Sequence, residues 1–144
     1  MRRAGVAAAL VAATVLLGGC SGATVSATSG PTAAAVPATG ASLSPADFAA
    51  AAKLPNTILL DVRTPSEFAS GHITGAVNLD IQSADFAKGA AALDPARNYA
   101  IYCHSGNRSK AAMAAMGQAG FTHLFDLAGG ITAWQSSGGK VVTN

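Results

Sequence analysis

Residues 99–120 read YAIYCHSGNRSKAAMAAMGQAG. An apolar, strand-like run ends on Cys103, a small polar loop follows, and an alanine-rich helix closes the stretch. In open α/β sheets chemistry gathers at the carboxyl ends of strands, where loops lead into helix N-termini. The loop Cys103-His104-Ser105-Gly106-Asn107-Arg108 can curl tightly, because Gly106 and Asn107 tolerate positive φ. A curled loop before a helix turns several N–H groups inward and makes an anion cradle that the helix dipole reinforces. A cysteine at its mouth, beside Arg108, is favoured as thiolate and meets the requirements of a nucleophile. A buried inert thiol and a disulfide half are the other readings of Cys103.

Working outward, the flanking segments alternate between strand and helix signals. Ser44 caps a helix whose first turn holds Pro45 and Asp47, with Leu43 packing on Phe48, and which ends near Leu54-Pro55. The run TILLDV, 57–62, is short and continuously apolar, as in a strand buried on both faces. Thr64 and Glu67 repeat the capping logic, and Gly71 ends that helix early. GAVNL (75–79), NYAIYC (98–103) and HLFDL (123–127) are further strands. Helices are expected over 83–93 and 108–119, and after Gly129-Gly130 over ITAWQSS. Strands alternating with helices predict a small parallel β-sheet flanked by helices on both faces, an α/β fold.

The first 42 residues differ in kind, with no aromatic or acidic residue, whereas every aromatic lies between Phe48 and Trp134. MRRAGVAAALVAATVLLGGC has a basic start, an apolar core over 6–17 and small residues before a cysteine, the build of a secretory signal. That core is short for a transmembrane helix. Leu17-Gly18-Gly19-Cys20 resembles a bacterial lipobox, so residues 1–19 are expected to be a signal peptide and Cys20 the acylated first residue. An ordinary cleaved signal and an uncleaved anchor are the alternatives. Residues 20–42 are small, uncharged and without an apolar face, and read as a flexible tether. The folded domain then spans 43–144, on the extracytoplasmic face of the cell envelope, reaching the membrane through the lipid alone. Acylation of Cys20 leaves Cys103 without a disulfide partner in the chain. Without Arg2 and Arg3 the nine basic residues become seven, against seven acidic. The mature protein is near neutral and no basic stripe interleaved with aromatics appears, which argues against nucleic-acid binding.

Three segments, LLDVRTPSEFASGHITGAVNL, YAIYCHSGNRS and DLAGGITAW, resemble in order the signature segments of rhodanese-like sulfurtransferase domains. The resemblance covers about Leu43 to Val142. It implies that Cys103 accepts a sulfane sulfur, becomes a persulfide and passes the sulfur on. Backbone N–H groups of His104, Ser105, Gly106, Asn107, Arg108 and Ser109 would hold the persulfide or incoming anion, with Arg108 helping to bind the donor. Asp61 and Arg63 match the family's Asp-x-Arg turn. An ion pair between Arg63 and Glu67 is expected near the active face. His72 is read as fixing a turn by hydrogen bonding, and Trp134 as a core anchor for the last helix. Two departures from the family are Thr74, where proline is frequent, and the ending SSGGKVV, which is less apolar than usual.

The rival chemistry is that of cysteine-dependent phosphatases and arsenate reductases. Their loops carry five residues between Cys and Arg, whereas this one carries four, a ring tighter around a tetrahedral anion but able to wrap one sulfur. A third reading is a non-catalytic rhodanese-like binding module, against which the cysteine itself argues. The expected partners are a small sulfur-containing anion such as thiosulfate as donor and a thiol, cyanide or an envelope protein as acceptor. No metal-ligand cluster or nucleotide motif is visible in the sequence, and no cofactor is expected.

Overall fold

The structure is a computed structural model that describes residues 33–143. The segment read as a signal peptide with a lipobox, and Cys20 itself, lie outside the described residues. The elements in chain order are β1 (Ala41–Leu43), α1 (Pro45–Ala51), β2 (Thr57–Asp61), α2 (Pro65–Ser70) and β3 (Val77–Asn78), followed by α3 (Phe86–Ala91), β4 (Asn98–Tyr102), α4 (Asn107–Gln118), β5 (Leu124–Leu127) and α5 (Gly130–Ser136). The five strands form one sheet in the order β1-β5-β4-β2-β3. Every pairing in it is parallel. The expected α/β fold with helices on both faces is therefore what forms.

The caps explain where helices begin. Ser44 Oγ accepts from the Asp47 N–H at α1. Thr64 and Glu67 form a complete capping box at α2, each side chain accepting from the other residue's backbone. Two such reciprocal bonds satisfy donors that a helix start otherwise leaves open. α3 is shorter than the pattern 83–93 suggested, because residues 83–85 form turns closed by side chains, with the Asp85 N–H donating to Ser83 Oγ.

β4 is central and buried along its whole length, and its alternation divides the core. Tyr99, Ile101 and Cys103 face one side with Phe86, Met113 and Met116 of α3 and α4. Ala100 and Tyr102 face the other with Phe48 of α1 and Ile131 and Trp134 of α5. A strand buried on both faces is apolar at most positions, which is why Tyr99 to Cys103 reads as a continuous run.

The strand β1 was not expected. It lies in the low-complexity segment read as tether, and pairs along β5 with Ser42 opposite Asp126. The Gly40 N–H donates to the Leu124 carbonyl, the Ala33 N–H to Ala50, and Thr39 Oγ1 to Thr122. The ordered domain thus starts before Leu43.

A second correction concerns the charges under the active face. Arg63 does not pair with Glu67. It is buried, and its guanidinium grips the Asp61 carboxylate, with Nη2 to Oδ2 at 2.6 Å and Nε to Oδ1 at 3.0 Å. Nη2 also donates to the Gly71 carbonyl at 2.7 Å, and the group lies over the Tyr102 ring, 5.7 Å from its centroid. Burial, followed by the Asp61 charge, pushes the Tyr102 phenol upward, so it stays neutral and its oxygen accepts from the Ile73 N–H at 3.0 Å. Removing one partner of a buried pair leaves an uncompensated charge, worth about 3–5 kcal/mol. Arg63→Ala should lose stability of that size in equilibrium urea unfolding. A loss below about 1 kcal/mol, the range of exposed pairs, would show that the pair does not matter to the fold.

Candidate active site

The carboxyl ends of β2, β4 and β5 converge on the loop after Cys103. Cys103 is buried, and its sulfur accepts from the Gly106 N–H at 3.1 Å. Gly106 has φ +99°, the left-handed conformation that curls the loop. Asn107, expected to share this role, is instead the first residue of α4. The Ser109 hydroxyl lies 3.8 Å from the sulfur, on the first turn of the same helix.

The loop is held from behind by the start of α5. Ile131 N–H donates to the Cys103 carbonyl at 2.9 Å and Thr132 N–H to the His104 carbonyl at 3.3 Å. This engages two loop carbonyls away from the sulfur. Gly130 makes the approach possible: a Cβ there would sit 2.5 Å from the carbonyl carbon and oxygen of His104. The turn residues that the sequence marks only as a helix start are thus also a seat for the cysteine loop.

Arg108 is not free. Its Nη1 and Nη2 each reach one oxygen of Glu67 at 2.7 Å, a bidentate clamp between α4 and α2. The hydrogen bond from Arg108 holds the Glu67 carboxyl at about 2, down from the usual 4.5. The same bond raises Arg108. Beside the loop opens a cleft of about 310 Å³ lined by Arg63, Glu67, Ser70, Gly71, His104, Ile131, Gln135 and Val141. His72 sits below this face: its Nδ1–H donates to the Phe68 carbonyl at 3.0 Å and its ring stacks on Phe68 at 3.8 Å. Its backbone bridges to Val142 in both directions. The chain's end docks in turn on Trp134, whose Nε1–H donates to the Lys140 carbonyl at 2.9 Å.

One buried acidic residue near the thiol has no signal in the motifs. Asp126, in β5, is fully buried, and Ser109 Oγ donates to it at 2.6 Å. Only the sequence position, a lone Asp within the apolar run HLFDL, could have drawn attention to it.

Residues 44–137 match the model of the rhodanese-like domain. The chain belongs to that family. Among its curated relatives, the thiosulfate sulfurtransferase GlpE of Pseudomonas entomophila is 36% identical over 90 residues, covering 62% of this chain and 80% of the relative. A sulfurtransferase of Allochromatium vinosum is 37% identical over 87 residues, covering 60% of this chain and 79% of the relative. The crystal structure of a rhodanese-related protein from Thermoplasma volcanium superposes with a TM-score of 0.64 at 33% identity, over 72% of this chain and 99% of that one. The rhodanese-like match begins at Ser44, so β1 lies just ahead of it.

Two outcomes test this geometry. Gly130→Ala forces a methyl into the loop backbone, costing about 1–3 kcal/mol by overpacking and roughly 1–2 more from the left-handed backbone. It should also change the rate at which Cys103 is alkylated, where an unchanged rate and stability would mean the loop does not rest on α5. For Glu67 the folded value lies below the unfolded one, so its contribution to stability is present above pH 4.5 and is lost as pH falls through about 2. Glu67→Gln should flatten the acid limb of the stability profile in that window, read by thermal melts between pH 2 and 5.

Proposed function

We propose that the protein is a sulfurtransferase that carries sulfur as a Cys103 persulfide. The observation that carries this reading is the Gly106 N–H at 3.1 Å from the sulfur, in a loop whose carbonyls are tied away from it. A preorganised N–H aimed at the sulfur can stabilise negative charge that develops there as a bond to it forms or breaks, and relatives named sulfurtransferases are 36% and 37% identical to the chain. The thiolate attacks the sulfane sulfur of an anionic donor such as thiosulfate. A Cys103 S–S bond forms while the donor's sulfur bond breaks, and its electron pair leaves with the remaining anion. The outer sulfur is then attacked by a thiol or cyanide, and Cys103 departs as thiolate.

The ion pair at the mouth disfavours phosphate chemistry. A phosphatase needs its loop arginine turned to the phosphate, whereas Arg108 is engaged on both sides by Glu67. The four-residue spacing between Cys103 and Arg108 points the same way. The N-terminal pattern further supports export as a lipoprotein, with the domain held at the envelope through Cys20. Replacing Cys20 by Ala should then release the protein from the membrane fraction, and an unchanged distribution would reject the anchor.

Purified protein should convert thiosulfate and cyanide to thiocyanate, and intact-protein mass spectrometry after the donor alone should find one added sulfur. Cys103→Ser should abolish both, a loss of more than about 10³-fold. Undiminished thiocyanate formation without the thiol would overturn the assignment, as would aryl-phosphate hydrolysis in place of sulfur transfer.

A further inference from the structure

The ending SSGGKVV, which departs from the family pattern, folds as a strap. Gly138 takes φ +81° and turns the chain back after α5, its N–H donating to the Gln135 carbonyl at 3.0 Å. The chain then lies flat on Trp134. The Gly139 N–H donates to the Trp134 carbonyl at 2.9 Å, and a Cβ at 139 would sit 2.4 Å from the indole. Trp134 Nε1–H holds the Lys140 carbonyl, and the N–H and carbonyl of Val142 pair with those of His72 at 2.9 Å each. Val141 stands between these two anchors, and its half-buried side chain lines the cleft beside the cysteine loop. Its Cγ2 lies 3.6 Å from where a Cβ on Gly71 would stand. The rhodanese-like match ends at residue 137, so this part of the cleft wall comes from outside it.

The charges that line the cleft are paired. Arg63 is gripped by Asp61 and Glu67 by Arg108. Lys140 is exposed and does not belong to the lining. Ile131 and Val141 supply apolar surface, Ser70 and Gln135 uncharged polar groups, and His104 an imidazole at the loop edge. Walls of this kind suit an organic ligand, and pockets for such ligands begin at roughly 300 Å³. The cleft's volume of about 310 Å³ is roughly ten times the share of one water in the liquid, about 30 Å³. Cyanide needs only a small part of that space. The cleft meets the cysteine loop at two points: His104 directly follows Cys103, and the Ile131 N–H holds the Cys103 carbonyl at 2.9 Å.

We propose that the cleft seats the uncharged organic body of a small thiol that accepts sulfur from Cys103, with Val141 of the strap as a specificity-determining residue. The inference rests on the sulfurtransferase reading and names its acceptor. The acceptor brings its thiolate past His104 to the outer sulfur of the Cys103 persulfide. A lone pair of the thiolate forms the new S–S bond, and the bond between the outer sulfur and Cys103 breaks with its pair left on Cys103. The outer sulfur keeps its proton and leaves as an organic persulfide, and Cys103 returns as thiolate. Charge balances and no further reactant is consumed. Val141 meets the acceptor's body and not the reacting sulfur atoms, so it decides which acceptor fits.

The test compares three acceptors on the full chain, with thiosulfate as donor and turnover read as sulfite released. They are cyanide, N-acetylcysteine amide and N-acetylcysteine, the last two differing in an amide against a carboxylate. Ratios of kcat/KM between acceptors are taken on one preparation, so any loss of active protein cancels. Val141→Trp narrows the cleft and should lower the ratio of the amide over cyanide about tenfold, through a raised KM for the amide. Val141→Lys sets a cation on the wall and should raise the ratio of N-acetylcysteine over its amide about threefold, the size of an exposed charge pair. The anchors at 140 and 142 use the backbone on the strap's side, so both variants should keep the strap in place. If one variant does not fold, the other decides. An unchanged ratio in a folded variant overturns the proposal. Thiocyanate formation with unchanged ratios rejects the acceptor seat and leaves the sulfurtransferase reading standing, whereas no transfer to any of the three acceptors rejects both.

Discussion

The loop after Cys103 depends on the close passage of Gly129-Gly130 behind it. A loop that presents amide hydrogens to a central sulfur must send its carbonyls elsewhere, since a buried carbonyl without a donor is costly. The Cys103 and His104 carbonyls find their donors at the first N–H groups of α5. That arrangement works only if the α5 turn comes within reach, and a side chain at 130 would overlap the His104 backbone. The position of α5 is set in turn by Trp134, buried against Phe48, Tyr102 and Phe125 and roofed by the tail. The loop's electrostatics are therefore held in place by a tryptophan and two glycines that do no chemistry.

Two arginines near the site are used in opposite ways, and their pairing shows what spacing alone can and cannot reveal. Arg63 stands four residues before Glu67 in the same segment, and their proximity in sequence is what suggests that they pair. Asp61 lies two residues before Arg63 on the same turn, at the end of a buried strand, and captures it with three contacts to the carboxylate. Glu67 is left half-exposed at the head of α2, facing the start of α4, and takes Arg108 from 41 residues away. Local contacts such as the caps of Ser44 and Thr64 are legible because both partners lie within one helical turn. An ion pair between two helices depends on how the sheet orders β2 and β4, which the sequence does not state.

The same distinction explains the missed strand. β2 and β4 announce themselves through continuous apolar runs, because each is buried on both faces. β1 is three residues, Ala-Ser-Leu, within a stretch of alanine, glycine and threonine whose composition is that of a tether. Its strand character comes from β5, which offers an open edge, and from Ser42, which meets a buried carboxylate there. Neither Ser42 nor Asp126 stands out alone, since a serine in a linker and an aspartate near a strand end are both ordinary.

Their juxtaposition is what carries information. Most domains leave such an edge to charged or kinked residues that discourage pairing, and this one covers it with the segment that leads away from the domain. The cover is polar at Ser42, which bonds Asp126, and apolar on either side, where Ala41 and Leu43 pack against the core. A segment whose Ser42 hydroxyl bonds Asp126 is tied to the domain at that residue. The ordered fold therefore reaches back past the recognisable motifs, through the hydroxyl at position 42 to the backbone bonds of Gly40 and Ala33.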